Sequence, residues 1–358
     1  MIILGFESSC DETSVAVVKR EEDGFSVLSN IVASQIETHR LYGGVVPEIA
    51  SRAHIEVISK ITYEALEEAG VTLGDVGLVA VTANPGLIGA LLVGVNYAKA
   101  VAFSGGIPLV GVDHIKGHVA ASYLCQDNSA PKPPFIAFVA SGGHTAIYEV
   151  SSYTDYKLIG TTRDDAIGES YDKIGRMIGI PYPAGRGFDE LSREGFVAAT
   201  ADKENFYAKY RKSEAYGRYT LPSPALHDGS LDFSFSGLKT AAINLLNTAS
   251  MKGEEIDRPL FAARYTYEAT EAVVKQLSAA LSRYPGCDLV IAGGVGANSH
   301  LRREISRLAE RSGTKLYIPS VSYCGDNAAM IAAQGYYDFV SGVRHGASLN
   351  ASALDSIV

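Results

Sequence analysis

The feature that most constrains the fold is a unit that occurs twice. Residues 3–19, ILGFESSCDETSVAVVK, and residues 135–150, FIAFVASGGHTAIYEV, each read as an apolar strand, a small polar turn and a second strand. In both copies the turn holds Ser, Gly or acidic residues, so a duplicated domain would let the two turns face each other across a cleft. Further strand-like runs, LVAV, PLVGV and LVIAGG, alternate with helical stretches such as AHIEVISKITYEALEEAG and ATEAVVKQLSAALSRY, which predicts an α/β fold. A chain of 358 residues with 47% apolar and 20% charged content can bury the large core this requires.

Duplicated domains with opposed hairpin turns suit a nucleotide gripped between them, as in the actin, Hsp70 and sugar kinase architecture, though fold alone does not decide function. A net charge of −9 gives no general electrostatic reason to bind nucleic acid, so any such binding is expected to be local or shared with a partner. The one local candidate is Lys203 to Tyr219, KENFYAKYRKSEAYGRY, with five basic, two acidic and five aromatic residues. It reads either as cations for phosphates with rings for unstacked bases, or as a surface helix with its aromatics turned inward.

Cys10, Cys125, Cys287 and Cys324 lie far apart with no CxxC pair, so reduced thiols and a cytoplasmic location are expected. MIILGFES lacks a basic leader and reads as a first strand. The most membrane-like region, Val76 to Phe103, is split by Asn84-Pro85-Gly86 into a buried strand, a turn and a buried helix, so no membrane association is expected.

Chemistry concentrates in four places. In DHIKGH, Asp113 can cap a helix on which His114 and His118, four residues apart, share one face and so one ligand. Gly117 between them hints at a close approach to the backbone. The best candidate for a third ligand is Asp326 of YCGDNAAMIAAQG, although local pattern by itself favours its use as the N-cap of the helix that follows. Two imidazoles and a carboxylate with open positions suit Fe(II) or Zn(II).

The ASGGHT turn places Ser141, Gly142, Gly143, His144 and Thr145 where backbone N–H groups and hydroxyls can meet an anionic oxygen, although a hairpin turn uses glycine for its own geometry too. In the run Gly160 to Leu191, Asp172 and Lys173 fall on a helix, and PAGRGFDE reads as a flexible loop ending in Asp189 and Glu190, which can bind ribose hydroxyls or serve as caps. IAGGVGANSHLRREI is a strand, turn and helix in which Asn298 can meet a base or sugar, but its spacing fails the GxGxxG fingerprint.

Together the segments GFESSCDETSVAVV, YGGVVPEIASRAH, PGLIGALLVGVNYAKAVA, DHIKGH, ASGGHT, DDAIGESYDKIGRMIGIPYPAG, DFSFSGLKTA, GGVGANSHLR and CGDNAAMIA resemble the tRNA N6-adenosine threonylcarbamoyltransferase family, in its bacterial form, and span residues 5 to about 332. The resemblance implies a duplicated actin-like and Hsp70-like fold with two lobes and a central cleft. The N-terminal lobe would be 1–112, completed by C-terminal helices at 325–358, and the second lobe 113–324. It also implies transfer of a threonylcarbamoyl group from threonylcarbamoyl-AMP to N6 of adenosine 37, in tRNAs reading codons that start with A.

By the same resemblance His114, His118 and Asp326 are metal ligands for one divalent ion, Fe(II) before Zn(II). Ser141 to Thr145 form a substrate-binding turn, and Asp172, Gly185, Asp189 and Asn298 bind the adenylate. The chain departs from the family at Lys116, where an acid is common, and at Gly325, where Thr is usual. Implied partners are tRNA, a catalytically inactive paralogue and an ATPase subunit. The amine proton needs a base, for which Asp11 and Glu12 on the opposing turn are candidates. Three rival readings remain at this level, one of them a non-enzymatic, nucleotide-gated scaffold like actin, which the three-residue metal constellation disfavours. A metalloprotease is disfavoured because HExxH needs Glu where Ile115 stands, and a small-molecule kinase of the same fold leaves the histidines without a role.

Overall fold

The computed structural model describes residues 1–124, 129–224, 226, 228–354 and 357, so Cys125 lies outside the described residues. The first repeat opens with β1 (Ile2–Glu7), β2 (Glu12–Arg20) and β3 (Phe25–Ser34), then α1 (Ile36–Arg40) and α2 (Pro47–Ala69). It continues through β4 (Val76–Asn84), α3 (Ile88–Gly105), β5 (Leu109–Asp113) and α4 (His114–Ala120). The second has β6 (Phe135–Ala140), β7 (Thr145–Val150) and β8 (Tyr156–Thr161), then α5 (Ile167–Met177), α6 (Gly185–Thr200) and α7 (Phe206–Tyr210). After these come α8 (Ser236–Lys252), α9 (Arg258–Arg283), β9 (Asp288–Ala292), α10 (Ser299–Ser312) and β10 (Leu316–Tyr317). Two helices follow, α11 (Val321–Cys324) and α12 (Ala328–Val340).

Strand order in the first sheet is β3-β2-β1-β4-β5 and in the second β8-β7-β6-β9-β10, the same path walked twice. In each, the first three strands are antiparallel and the remaining two join in parallel. The repeat seen in the sequence is therefore a repeat of topology, and the fold is the duplicated α/β one expected.

Alternation along the strands sorts the core into layers. Leu4, Phe6, Val79 and Val81 face α2 and α3 on the outside of the first sheet. Ile3, Leu78 and Ala80 point the other way, into a central layer shared with Phe135, Ala137 and Val139 of β6 and with α4 and α12. Ile136, Phe138 and Ala140 cover the far side, against α5, α8 and α9. Helix α12 fits between the sheets because its inner face is small: a Cβ on Gly335 would lie 2.4 Å from Ala80 Cβ.

Helix α3 is long and apolar enough to cross a membrane, yet it lies on the first sheet and buries Ala90, Leu91, Gly94, Val95, Ala98 and Ala102. The expected buried helix is therefore buried on that face alone: α3 is in an outer layer, and Phe103 is exposed.

Candidate active site

Strand β5 ends in Asp113, whose Oδ1 accepts from the backbone N–H groups of Ile115 (2.9 Å) and Lys116 (3.2 Å) and so caps α4. The cap is itself held by the Asn84 amide, which donates to Oδ2 at 2.6 Å. With the helix start fixed, His114 and His118 fall one turn apart with ring centroids separated by 4.5 Å. The close approach that Gly117 hinted at is internal, since a Cβ there would lie 2.6 Å from Ile331 Cδ1 on α12. Ile115 is fully buried, so the position that a zincin fills with Glu points into the core.

Asp326 does not cap α12. That role falls to Asn327, whose Oδ1 accepts from Met330 N at 3.1 Å while its amide braces the corner through Gly325 O (2.9 Å) and Tyr323 O (3.3 Å). The Asp326 carboxylate is thereby left to face the histidines, with Oδ1 3.6 Å from His114 Nε2 and 3.4 Å from His118 Nε2. The three potential ligand atoms lie within 4.8 Å of one another.

Two observations fit this group to a cation. His118 is 1% exposed, and neither ring nitrogen has a hydrogen-bond partner among the described residues, a state that a bound ion would relieve. Burial, then the charge of His114, hold His118 well below the ordinary imidazole value, so its lone pair is available. His114 is oriented by Glu7, whose Oε2 lies 3.0 Å from Nδ1, which turns Nε2 toward Asp326. Glu7 is fully buried and also accepts from Ser9 N and from Thr82 Oγ1, each at 2.5 Å. Burial works to raise Glu7, but His114 and these donors outweigh it and hold the carboxyl at about 2. His114 is pushed up to about 9, because Glu7 and Asp326 overcome its own burial. Sequence reading missed Glu7; the available signal was an acid closing an otherwise apolar buried strand.

The first turn is pinned from outside. Three consecutive carbonyls accept from three different segments: Ser9 from Leu87 N (2.8 Å), Cys10 from His54 Nε2 (3.0 Å) and Asp11 from Gln35 N (3.0 Å). Thr13 Oγ1 donates to His54 Nδ1 at 2.7 Å, which fixes the tautomer that donates to Cys10. Asp11 is buried and accepts from the hydroxyl of Tyr182, between α5 and α6, at 3.4 Å. Glu12 is pushed up to about 9 by burial and by the nearby carboxylates of Asp326 and Asp11.

The second turn is open. Ser141 closes it, its N–H donating to His144 O (2.8 Å) and its Oγ accepting from His144 N (3.1 Å). Gly142 and Gly143 are exposed, neither has a positive φ, and a Cβ on either would meet nothing within 4 Å. Their glycine character thus leaves the backbone uncovered and is not required by the turn geometry. Thr145 Oγ1 accepts from Ile167 N at 2.9 Å and belongs to the start of α5. His144 is close enough to His118 for the two to influence each other's charge, which brings this turn to the His114, His118 and Asp326 group.

The remaining predicted residues are occupied by helix starts. Asp172 accepts from Ala184 N at 2.7 Å, and Gly185 is the exposed first residue of α6. The expected flexible loop PAGRGFDE is therefore largely helix, because Phe188, Ser192, Gly195 and Phe196 present one inward face at helical spacing. Asp189 accepts from Ser299 N (3.1 Å) and Oγ (3.0 Å), and Asn298 Oδ1 accepts from His300 N (3.1 Å) and Leu301 N (2.9 Å), so both cap α10. In the basic and aromatic stretch, Phe206, Tyr207, Tyr210 and Tyr219 are buried and cannot stack on bases, while Arg211 and Lys212 are exposed.

Comparison with known proteins gives one answer. The TsaD family model, tRNA N6-adenosine threonylcarbamoyltransferase, matches residues 26–333. The chain is 45% identical over 349 residues to a curated protein of that name from Clostridium botulinum, covering 98% of this chain and 96% of the relative. It is 46% identical to one from Geobacillus thermodenitrificans, covering 98% and 95%. Among solved structures it resembles component A of the Acidaminococcus fermentans (R)-2-hydroxyglutaryl-CoA dehydratase, with a TM-score of 0.50 at 13% identity over 95% of this chain and 99% of the other. Full-length HypF gives a TM-score of 0.50 at 16% identity, over 96% of this chain and 47% of that one. These likenesses identify the fold as actin-like.

Proposed function

The chain belongs to the tRNA N6-adenosine threonylcarbamoyltransferase family, and from that premise we propose that it moves the threonylcarbamoyl group of threonylcarbamoyl-AMP to N6 of adenosine 37, in tRNAs reading codons that start with A. The observation that carries this reading is the group of two buried histidines, His114 and His118, with the half-buried Asp326, lying beside two turns, one acidic and one of open backbone.

The exocyclic amine of adenine is a weak nucleophile because its lone pair is delocalised into the ring. In the transfer its nitrogen bonds to the carbamoyl carbon, the bond from that carbon to the phosphate oxygen breaks, and AMP leaves with the electron pair. The N6 proton must go to a base. Asp11, buried at the first turn and accepting from the Tyr182 hydroxyl, is the candidate acceptor, with Glu12, which burial and the carboxylates of Asp326 and Asp11 push up, as the alternative. The uncovered backbone of Gly142 and Gly143, with Ser141, His144 and Thr145 around it, is the element suited to oxygen charge on the carbamoyl or phosphate group. Asp172, Gly185, Asp189 and Asn298 would receive the adenylate where α6 and α10 begin.

One divalent ion, Fe(II) or Zn(II), would be held by His114, His118 and Asp326, and when bound it would supply Lewis-acid stabilisation of oxygen charge. An inactive paralogue and an ATPase subunit are proposed partners in the cytoplasm. The exposed Ile55 and Tyr63 on α2 and Ile88 and Phe103 on α3 support an apolar docking surface for the first.

A single-turnover assay with synthetic threonylcarbamoyl-AMP, unmodified tRNA and the accessory proteins tests the reading. Wild type is expected to form the modified adenosine in a metal-dependent way, and a folded His114→Ala, His118→Ala double variant to form none. Equal product from both would remove the metal group from the reaction. No product from either, with active partners, would overturn the proposed transfer.

A further inference from the structure

Arg302, partly buried near the start of α10, touches two parts of the site that no backbone hydrogen bond joins. Its Nε donates to Gly296 O, in the glycine-rich turn after β9, and its Nη2 donates to Pro319 O at 2.7 Å and to Cys324 Sγ at 3.4 Å. Gly296 belongs to a segment with little freedom. Gly293, three residues earlier, has a φ of +88°, and a Cβ on it would lie 2.4 Å from Ala140 O, so this turn rests on the end of β6 just before Ser141. On its other side Asn298 caps α10.

The second anchor leads to the metal ligands. Cys324 ends α11 two residues before Asp326, is 2% exposed, and lies 3.5 Å from Ser320 O. The residues between are stiffened by Asn327, whose amide holds Tyr323 O and Gly325 O. A planar guanidinium is suited to this place because it presents several N–H groups in fixed directions, whereas a single ammonium cannot hold both anchors in the same geometry.

We propose that Arg302 is a positioning residue that ties the glycine-rich turn at 293–298 to Asp326, so that a nucleotide on the turn and a divalent cation on His114, His118 and Asp326 bind cooperatively. The proposal rests on the metal and adenylate reading above and adds to it the element that couples the two sites. Coupling of this kind is reciprocal, so it can be read from either ligand.

Zinc(II) affinity is measured by competition with a chromogenic chelator, with and without AMP, on folded wild type, Arg302→Met, Arg302→Lys and His118→Ala. In wild type AMP is expected to tighten zinc binding about tenfold, within the usual range of coupling between sites. Arg302→Met should bind zinc about tenfold or more weakly, as when a residue supporting a ligand is lost, and should show no response to AMP. Arg302→Lys should respond less than wild type, and it carries the test if the Met variant does not fold. Arg302 variants that bind zinc and respond to AMP as wild type does, even with a lowered melting temperature, would overturn the proposal, because a merely structural role predicts that result. Wild type that binds zinc without any response to AMP would overturn it as well. Wild-type zinc binding no tighter than that of His118→Ala would instead remove the metal reading, and the coupling with it.

Discussion

The turn from Ser8 to Asp11, with Glu12 at the strand start that follows, and the turn from Ser141 to His144 join the first two strands of two sheets with the same strand order, and they are built in opposite ways. In the first, successive carbonyls are tied to Leu87 before α3, to α2 and to the start of α1, and burial together with the carboxylates of Asp326 and Asp11 pushes Glu12 to about 9. In the second, the closure is local, through Ser141 and His144, and the two central residues present bare backbone. Duplication supplied two equivalent positions, one in each sheet. On the proposed reading the first turn offers a proton acceptor, which needs rigid placement and low exposure, and the second offers backbone donors, which need access.

The most direct way to break this comparison is to neutralise the first turn. Asp11→Asn keeps the shape and is expected to lower the single-turnover rate by about 10²- to 10⁴-fold with adenylate affinity little changed, the size usual for a lost general base. A rate within threefold of wild type would reassign Asp11 to structure.

The second test contrasts glycines. Gly293→Ala must place a Cβ against Ala140 O at a φ of +88°, and is expected to destabilise the protein by roughly 3–5 kcal/mol through strain and crowding. Gly142→Ala meets nothing and should change stability by less than about 0.5 kcal/mol while weakening adenylate binding. Urea unfolding of both measures the contrast, and equal losses would contradict the open second turn.

The smallest effect sharpens the meaning of the raised Glu12. Asp338 on α12 is 7% exposed and is pushed up to about 6 by burial, against the opposing pull of the Gln334 hydrogen bond and Lys116, with Asp113 adding to the rise. It serves as a control in which burial acts away from either turn. Because its folded value lies above its unfolded one, its contribution is fully present below about pH 4 and is lost as pH rises through about 6. Asp338→Asn, which keeps an acceptor for Gln334, should therefore stabilise the protein by on the order of 2 kcal/mol at pH 7.5 and by little at pH 4. Thermal unfolding at the two pH values decides it, and a variant less stable at pH 7.5 would show that Lys116 compensates the charge.

Much of the architecture was legible in the residues. The strands β1, β2, β4, β5, β6, β7 and β9 are apolar runs bounded by turn residues, and their signal is strong because most are buried on both faces. The strands β3, β8 and β10 were not named, since each mixes polar with apolar or half-exposed positions and loses that contrast, whereas β5, also at a sheet edge, is apolar and mostly buried. Among site residues, the His pair and its Asp113 cap follow from local spacing. The roles of Asp189 and Asn298 were less legible, because capping and ligand binding ask for the same side chains, and here both cap α10.

What the sequence by itself determined was the repeated unit, the α/β alternation and the face shared by His114 and His118, all of which depend on contacts between residues close along the chain. The tertiary structure decided which partners the histidines have. Glu7 reaches His114 across 107 positions, and Asp326 is free to face both histidines only because its neighbour Asn327 takes the cap of α12. Either side chain is chemically able to cap the helix, so local preference does not separate them. The choice is set by how closely α12 packs between the two sheets, a property of the assembled core that no short stretch of sequence contains.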